Sequence, residues 1–306
     1  MQMQPTPSTT VIKPLEPGIH LLHKPAGPTS FAALRAIAPP RQRSCHGGTL
    51  DPFASGLLLV LVQPATQLFD LLHDIPKVYE VTIGWGVETD NGDPTGAVVN
   101  RAKRDHLTAT LIDQWLQSHI GWHDQIPPAT CAKRIGGERA YVRAQRGEQF
   151  TLPSTPVYLH SVEWIDHDLP RTSRVRLTVR GGFYVRSLIR DLGREMQFAA
   201  HVAALRRVSI GPYTDPGPGK ISSAPALPWL PTRRLVDEEV ETLKTGKPIE
   251  IGTIEPAIWS APPSFPPCRP DIRGVHEGRF IFVLEQRDER FYQNRLLRGG
   301  IKISPL

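Results

Sequence analysis

The feature that most constrains this chain is an unbroken run of six apolar residues, from Leu57 to Val62. An apolar run of this length, bounded by turn residues, is typical of a strand that is buried on both faces of a sheet. The loop before it, residues 44–56 (SCHGGTLDPFASG), places Asp51 directly before Pro52. The proline disfavours helical backbone at Asp51, which narrows the directions in which its carboxylate can point. The sequence therefore predicts a loop that a buried strand anchors and that holds one carboxylate still.

The glycines of this loop, Gly47, Gly48 and Gly56, are expected to let a ligand approach the backbone, because they lack a Cβ atom. Asp51 is then a candidate catalytic carboxylate. The plainer alternative is an Asp-Pro pair that only starts a turn, and the loop by itself leaves both interpretations open.

The whole chain is typical of a folded protein from a reducing compartment. Of its 306 residues 40% are apolar, which is enough for a substantial core. Its three cysteines, Cys45, Cys131 and Cys268, stand far apart, which argues against a disulfide framework and a zinc knuckle. The first residues do not resemble a signal peptide, and no run approaches the roughly 18 apolar residues of a membrane span. We expect a soluble cytoplasmic protein that is a monomer and does not bind membranes.

Alternating and helical patterns together predict an α+β fold. Apolar and polar residues alternate over residues 78–86 and 174–182, which predicts strands. Helical spacing recurs over residues 107–120 and 184–196, and residues 64–72 are expected to form a short helix.

Composition predicts the domain organisation. Residues 1–16 are polar and Pro-rich, as in a disordered tail, and residues 17–214 form the larger domain. Residues 215–232 are dense in Pro, Gly and Ser and are the best candidate for a linker. Residues 233–306 contain short strand-like runs and are expected to form a small β domain.

Basic residues suggest a polyanionic partner. The formal charge is +6, and an insertion at about residues 124–152 carries Lys133, Arg134, Arg139, Arg143 and Arg146. Arg174, Arg176 and Arg180 are expected to share one face of a strand as a positive stripe. A solvated surface is the usual explanation for such charges, but two basic segments favour phosphate binding.

Two residues could complete a site around Asp51. Arg186 lies near the start of a predicted helix, where the helix dipole disfavours a cation, so a carboxylate held bidentately would explain it. An exposed arginine is the alternative. Tyr79, on a predicted strand, is either a core aromatic or a ring that stacks on a nucleobase.

Motifs for other chemistries are missing from the sequence. It has no dinucleotide-binding glycine pattern after a strand, no Walker-type loop, and no zinc-protease or serine-hydrolase motif. The eleven histidines do not cluster as metal ligands. We therefore expect a reaction without cofactor or metal.

Residues 46–58, HGGTLDPFASGLL, closely resemble the His-(Thr/Gly)-Gly-x-Leu-Asp-Pro-x-Ala-(Thr/Ser)-Gly signature of TruB-type tRNA pseudouridine synthases. Further segments resemble motifs of the same family in the same order: LLHKPAGPTSF, KVYEVTIGWGVETDNGDPTG, QIPPATCAKRIGGERAYVRAQRGE, RGGFYVRSLIRDLG and HVAALRRVSIG. Together they cover roughly residues 18–213. Gly47 stands where the family commonly has threonine, and Cys131 stands at a serine position of the insertion.

The resemblance implies a pseudouridine synthase fold, which is a mixed curved sheet flanked by helices, with a small C-terminal PUA-like domain. It implies isomerisation of a flipped uridine in the T-arm of tRNA, at the uridine conventionally numbered 55. A non-catalytic RNA-binding protein or RNA-folding chaperone, a synthase acting on another RNA, and a cofactor-free hydrolase are the alternatives.

The resemblance also assigns roles to individual residues. Asp51 is the catalytic carboxylate, Tyr79 stacks on the uracil and later takes up a proton, and Arg186 pairs with Asp51. The other residues that it implies in substrate binding are His46, Lys24, Leu205, Tyr184, Lys133, Arg134, Arg139, Arg143 and Arg146. Among these, His46 is expected where the base leaves the stack, Leu205 beside the base, and Lys24 at the wall of the site.

Overall fold

The computed structural model describes residues 12–303 of the chain. Of the predicted tail, residues 1–11 lie outside the described residues, and residues 12–16 have no regular secondary structure. The backbone N–H of Leu15 donates to Oε1 of Gln42, and its carbonyl accepts from Nε2 of the same side chain. The described end of the tail is therefore held against the loop that follows the first helix.

Strands and short helices alternate along the described chain. The first half contains β1 (Gly18–Lys24), α1 (Ser30–Arg35), β2 (Ser44–His46), β3 (Ser55–Val62), a 3₁₀ helix (Ala65–Leu72), β4 (Lys77–Trp85), β5 (Val87–Thr89), β6 (Val98–Arg101), α2 (Ala109–Ser118) and β7 (Gly121–Gln125). The middle contains β8 (Arg134–Ile135), β9 (Glu138–Arg139), α3 (Ala140–Gln145), β10 (Thr155–Asp168), β11 (Thr172–Val179), α4 (Val185–Glu195), β12 (Ala200–Ile210), β13 (Tyr213–Thr214) and β14 (Ile221–Ala224). The last part contains β15 (Thr232–Arg234), α5 (Asp237–Lys244), β16 (Ile249–Glu250), β17 (Ile254–Glu255), β18 (Ile272–His276), β19 (Arg279–Arg287) and β20 (Arg290–Lys302).

Within residues 12–303, the larger sheet has ten strands, and its main path runs β14-β1-β3-β12-β4-β11-β10-β7. Strands β3 and β12 pair in parallel, whereas all other strand pairings described in this sheet are antiparallel. The predicted α+β class with a mixed sheet is confirmed. Every helix among the described residues is too short or too polar to cross a lipid bilayer.

Strand β3 lies inside this sheet, as its sequence predicts. Leu57 to Leu61 are fully buried, and their side chains alternate between two apolar clusters on opposite faces. A strand buried on both faces cannot shift its register without exposing apolar side chains on one face, so it fixes the loop before it.

A second, six-stranded sheet is formed by the C-terminal part of the described chain, in the order β16-β20-β19-β18-β15-β17. This agrees with the predicted strand-rich, PUA-like domain. One apolar cluster joins the two sheets, since Ile19 and Leu57 of the larger sheet pack in the same cluster as Phe280 and Leu297 of the smaller one.

The segment predicted as a linker, residues 215–232, is more ordered than its composition suggests. Its strand β14 pairs with β1 at the edge of the larger sheet, and Leu227 and Leu230 are buried in the shared cluster. The apolar residues around the prolines explain the difference, because most of them are buried in this cluster and only Ile221 among them is exposed.

Candidate active site

Asp51 lies in the loop between β2 and β3. Helix α1 and the turn that precedes it hold this loop on the two sides of Asp51. The Ser30 hydroxyl accepts a hydrogen bond from the Leu50 N–H at 2.8 Å and lies 2.9 Å from the Leu50 carbonyl oxygen. On the other side, the Gly27 N–H donates to the Pro52 carbonyl at 2.7 Å. The backbone around Asp51 is therefore fixed by residues that precede it by more than 20 positions.

Arg186, the second residue of α4, forms a two-pronged ion pair with Asp51. Its Nε lies 2.8 Å from Oδ2 of Asp51, and its Nη2 lies 2.9 Å from Oδ1. The same guanidinium donates to the Asn91 carbonyl at 2.8 Å and to the Thr130 hydroxyl at 2.6 Å. The arginine side chain is only 5% exposed and the aspartate side chain 28%. A planar guanidinium held from three segments fixes the carboxylate in one orientation.

Lys24 is completely buried beneath the loop. Its Nζ donates to the carbonyls of Pro25 at 2.9 Å, Pro52 at 3.2 Å and Ala54 at 2.7 Å. Burial lowers the pKa of Lys24 to about 8, although the negative charge of Asp51 opposes this shift. Lys24 thus stabilises the loop through its carbonyls and does not touch the Asp51 carboxylate in the structure described.

Arg207, on β12, is a second buried cation at this loop, and sequence reasoning missed it. It is 1% exposed, and its guanidinium donates to the carbonyls of Leu57 at 2.8 Å, Gly48 at 3.0 Å and Thr49 at 3.4 Å. The alternation in LRRVS offers a signal, because it places Arg207 on the same strand face as the apolar Leu205. A cation on a core-facing position needs buried acceptors, and here the loop carbonyls provide them.

The environment of Asp51 acts on its pKa in two directions. Burial raises the pKa most, and the nearby Asp93 raises it further, whereas Arg186 and Lys24 lower it; the net result is a raised pKa. The apolar surroundings therefore oppose ionisation of Asp51, since a low dielectric disfavours the charged form. The ionised form depends on the two cations.

Tyr79 and Leu205 form the apolar wall of the site. They are 9% and 7% exposed and share one cluster with Leu50 and Ala54 of the loop. In the antiparallel pairing of β12 with β4, Leu205 lies opposite Val81 and Arg207 lies opposite Tyr79. The phenol of Tyr79 has no hydrogen-bond partner among the described residues. Tyr79 and Leu205, the two side chains predicted to contact a base, thus lie on the face of the sheet that packs against the apolar residues of the Asp51 loop.

His46, at the end of β2, is half-buried, and its Nδ1 is buried without a hydrogen-bond partner among residues 12–303. Burial lowers its pKa most, and the charges of Arg207 and Arg139 add to this. The ring is therefore neutral near neutral pH, so it can fill space or stack but brings no positive charge.

The loop glycines serve the protein more than a ligand, which corrects the expectation drawn from the sequence. A Cβ at Gly56 would lie 2.2 Å from the Arg207 carbonyl oxygen, and one at Gly47 would lie 2.8 Å from Cδ1 of Leu72. At these two positions the close approach is made by the protein's own β12 and 3₁₀ helix. Gly48 has φ of +128°, which favours glycine for conformational reasons.

The basic insertion folds into β8, β9 and α3, and its cations differ in how far they are neutralised. Arg143 and Arg146 pair with Glu148, at 2.7 and 2.6 Å, and Arg146 also pairs with Glu138. Lys133 donates to the Thr155 hydroxyl. Arg134 and Arg139 are exposed, and no described carboxylate pairs with either of them.

Tyr184 packs between the insertion and α4. It clusters with Cys131, Ala140 and Leu152, and its backbone N–H donates to Oε1 of Gln125 at 2.8 Å. The pKa of the Tyr184 phenol is raised, mainly by burial and to a smaller extent by the neighbouring Cys131. Tyr184 therefore joins the insertion to the helix that carries Arg186, in addition to any contact with substrate.

The arginine stripe on β11 does not present free positive charge, which corrects a second expectation. Arg174 pairs with Asp166 at 2.7 Å, Arg176 with Glu80 at 2.9 Å, and Arg180 with Asp74 at 2.9 Å. The carboxylates come from neighbouring strands and from the turn before β4, so a pattern read along one strand could not reveal them.

Replacing Gly56 with alanine is expected to destabilise the protein by about 3 to 5 kcal/mol, because the new Cβ would collide with backbone that cannot move aside. The free energy of unfolding from urea titration measures this. Gly121→Ala is the matched control, since Gly121 also has a positive φ, of +108°, but has open space around it. We expect about 1 to 2 kcal/mol for the control. Equal losses for the two variants would contradict the collision.

Comparison with known proteins identifies the family to which the chain is similar. The family model described as TruB family pseudouridylate synthase (N terminal domain) matches residues 37–185. The chain is 38% identical over 207 residues to a tRNA pseudouridine synthase B of Thermobifida fusca, a match that spans 64% of this chain and 70% of that one. It is 32% identical over 249 residues to the enzyme of the same name from Thermotoga maritima, across 76% of this chain and 80% of that one.

A solved structure shows the same fold. A chain of a Cbf5–Nop10–Gar1 complex aligns with a TM-score of 0.62 and 19% identity, and the match covers 92% of this chain and 84% of that one. The two sheets are thus found together elsewhere. Sequence identity over more than two thirds of the length of these relatives, together with the family model over the loop that holds Asp51, shows that the chain belongs to the TruB family of pseudouridylate synthases.

Proposed function

We propose that this enzyme converts the uridine at position 55 in the T-loop of tRNA to pseudouridine, with Asp51 as the catalytic carboxylate. The observation on which the proposal rests is the bidentate Asp51–Arg186 pair. Leu50, the residue before Asp51, packs in the same apolar cluster as Tyr79 and Leu205. The curated relatives carry the name tRNA pseudouridine synthase B, which supports tRNA as the substrate.

The reaction breaks the bond from the ribose C1′ to N1 of uracil and forms a bond from C1′ to C5. The hydrogen at C5 leaves as a proton and N1 takes up a proton, so atoms and charge balance without an external oxidant or reductant. An ionised carboxylate beside the flipped nucleoside can attack the base or the sugar and be released again. Tyr79 then stacks on the uracil and takes up the C5 proton, Leu205 lines the pocket, and no cofactor is required.

A base inside a folded loop must leave its stack before Asp51 can reach it, which costs a few kcal/mol. We propose that His46 fills the space that the base vacates. Contacts between phosphates and the insertion offset the cost of extrusion, with the exposed Arg134 and Arg139 better placed than Arg143 and Arg146, whose charges are already paired. Lys133 and Tyr184 are the remaining proposed contacts of this region.

We also propose the domain organisation, the oligomeric state and the cellular location of the protein. Residues 17–214 form the catalytic domain, residues 215–232 connect it, and residues 233–306 form the PUA-like RNA-binding domain. The protein acts as a monomer in the cytoplasm.

The direct test is release of tritium from a tRNA transcript that is labelled at C5 of its uracils. The wild-type enzyme is expected to release one tritium per tRNA, and a transcript with cytidine at position 55 is expected to release none. Release from both transcripts would move the target to another uridine. Binding of tRNA without any release would overturn the proposal and favour the RNA-folding chaperone.

The pH dependence of activity is expected to show the raised pKa of Asp51. The reaction needs the ionised carboxylate, so kcat/KM falls as pH drops through this pKa. Since burial raises the pKa above its ordinary value of 3.8, the acid limb should lie above that value. Tritium release between about pH 4 and 8 measures it. Nearly constant kcat/KM down to the acid end of this range, as expected for an ordinary aspartate, would contradict this prediction.

A further inference from the structure

We propose that helix α1 and the loop after it form a second contact surface for the substrate RNA. This α1 surface consists of Phe31, Arg35, Arg41 and Arg43. In it, Phe31 stacks on an unpaired base, and the three arginines bind phosphates. The inference rests on the proposed function, because it assumes that the partner which occupies the Asp51 site is RNA.

The α1 surface adjoins the loop that holds Asp51. Ser30, which contacts both backbone groups of Leu50, is the residue directly before Phe31, and Gly27 is bonded to Pro52. Helix α1 and the turn that precedes it therefore meet the loop on the two sides of the catalytic carboxylate. An RNA strand that places a nucleotide at Asp51 has to pass close to this helix.

Phe31 is 60% exposed, although its neighbours Ala33 and Leu34 on the same helix are buried. The Arg35 guanidinium lies 5.1 Å from the centre of its ring. Each base offers a flat π face, and aromatic rings with adjacent arginines bind unpaired bases without strict sequence preference. The Phe31 ring contributes little to the core, so a contact with another molecule explains an aromatic residue at this position better than packing does.

The charges of this surface are not neutralised by any described carboxylate, in contrast to those of the arginine stripe on β11. Residues 17–50 contain the cations Lys24, Arg35, Arg41 and Arg43 and no aspartate or glutamate. Among the described residues, no carboxylate pairs with Arg35, Arg41 or Arg43. Arg41 and Arg43 are exposed and Arg35 is partly exposed. Unpaired guanidiniums keep their full attraction for phosphate, because no internal ion pair has to break first.

The same chemistry could attract an acidic protein segment. The position beside the Asp51 loop favours RNA, because the proposed reaction requires RNA there. An aromatic ring among the arginines also suits a base more than a carboxylate side chain. The arginine variants alone would respond to either partner, whereas loss of a stacked base is specific to Phe31.

The experiment measures binding of fluorescently labelled, unmodified tRNA transcript to the full chain by anisotropy at several KCl concentrations. Phe31→Ala is expected to weaken binding by about tenfold. Arg41→Gln/Arg43→Gln is expected to reduce the slope of log affinity against log salt by about 2, one for each lost phosphate contact. Phe31→Trp, which keeps a stacking ring, should retain wild-type affinity.

Matched controls come from the same chain. Phe69→Ala removes a ring that is 50% exposed on the 3₁₀ helix. Arg174→Gln/Arg176→Gln removes two arginines that are already paired with carboxylates. Neither control should change the affinity or the salt slope, and all variants should melt within a few degrees of wild type.

Wild-type affinity and salt slope in both Phe31→Ala and Arg41→Gln/Arg43→Gln would overturn the inference. A changed salt slope with normal binding by Phe31→Ala would also overturn it, because the surface would then be only a basic patch of the kind that an acidic protein could use. These outcomes differ from failure of the proposed function, which shows as absence of tritium release by the wild-type enzyme.

Discussion

Asp51→Asn is expected to reduce the rate of pseudouridine formation by about 10⁴-fold or more. Asparagine has nearly the same shape and can still accept a hydrogen bond from Arg186. It carries no negative charge and is a poor nucleophile, so the chemical step is lost while the geometry remains. Tritium release in a single turnover, with enzyme in excess over tRNA, measures this step without contribution from product release.

Two controls separate chemistry from folding in that experiment. Asp105→Asn makes the same substitution at an exposed aspartate and should leave the rate unchanged. The Asp51→Asn protein should melt close to wild type and still bind tRNA, since the loop is held by Ser30, Lys24 and Arg207 and not by the carboxylate. A variant that retains more than about 1% of the wild-type rate would exclude Asp51 as the catalytic group.

Arg186→Gln is expected to have the second largest effect, with a rate loss of about 10² to 10³-fold. It is also expected to destabilise the protein by about 3 to 5 kcal/mol, because it leaves the partly buried Asp51 without its main cation and removes the donor to Asn91 and Thr130. Arg186→Lys keeps a charge but offers a point donor in place of a planar fork, so it should recover the rate only partly.

A double-mutant cycle tests whether these effects come from the ion pair. Asp51→Asn/Arg186→Gln should be more stable than Arg186→Gln alone, because the unpaired carboxylate is gone. The readouts are urea unfolding of the four proteins and the acid limb of kcat/KM for Arg186→Lys, which should move to higher pH as the opposing cation weakens. If the two losses in stability simply add, Arg186 stabilises the protein only through its hydrogen bonds to the Asn91 carbonyl and to Thr130.

The sequence predicted the α+β class, the buried strand β3 and the long strands and helices because each of these is encoded in a local pattern. The alternation in residues 78–86 and the helical spacing after Gly182 need no knowledge of distant residues. Local patterns were less informative for residues 215–232, where prolines and glycines conceal Leu227 and Leu230, which are buried against strands far away in the chain.

The site was predicted to a similar degree. The odd position of Arg186 at a helix start pointed to a carboxylate, and the structure places Asp51 against it. Arg207 was missed because its acceptors are carbonyls of residues about 150 positions earlier. The β11 stripe was misread for the same reason, since a guanidinium looks free until the strand that supplies its carboxylate is known. Long-range pairing, which has no local signature, decided each of these cases.

The apolar cluster that joins the two sheets limits how the chain can be divided. Leu227, Phe280 and Leu297 pack in one apolar cluster with Ile19 and Leu57 of the larger sheet. Strand β14 pairs with the outer edge of β1. A chain that stopped near residue 214 would expose both this surface and an unpaired strand edge, which favours aggregation. The catalytic half is therefore not a self-sufficient module, and cooperative unfolding of both halves follows from the way they share one core.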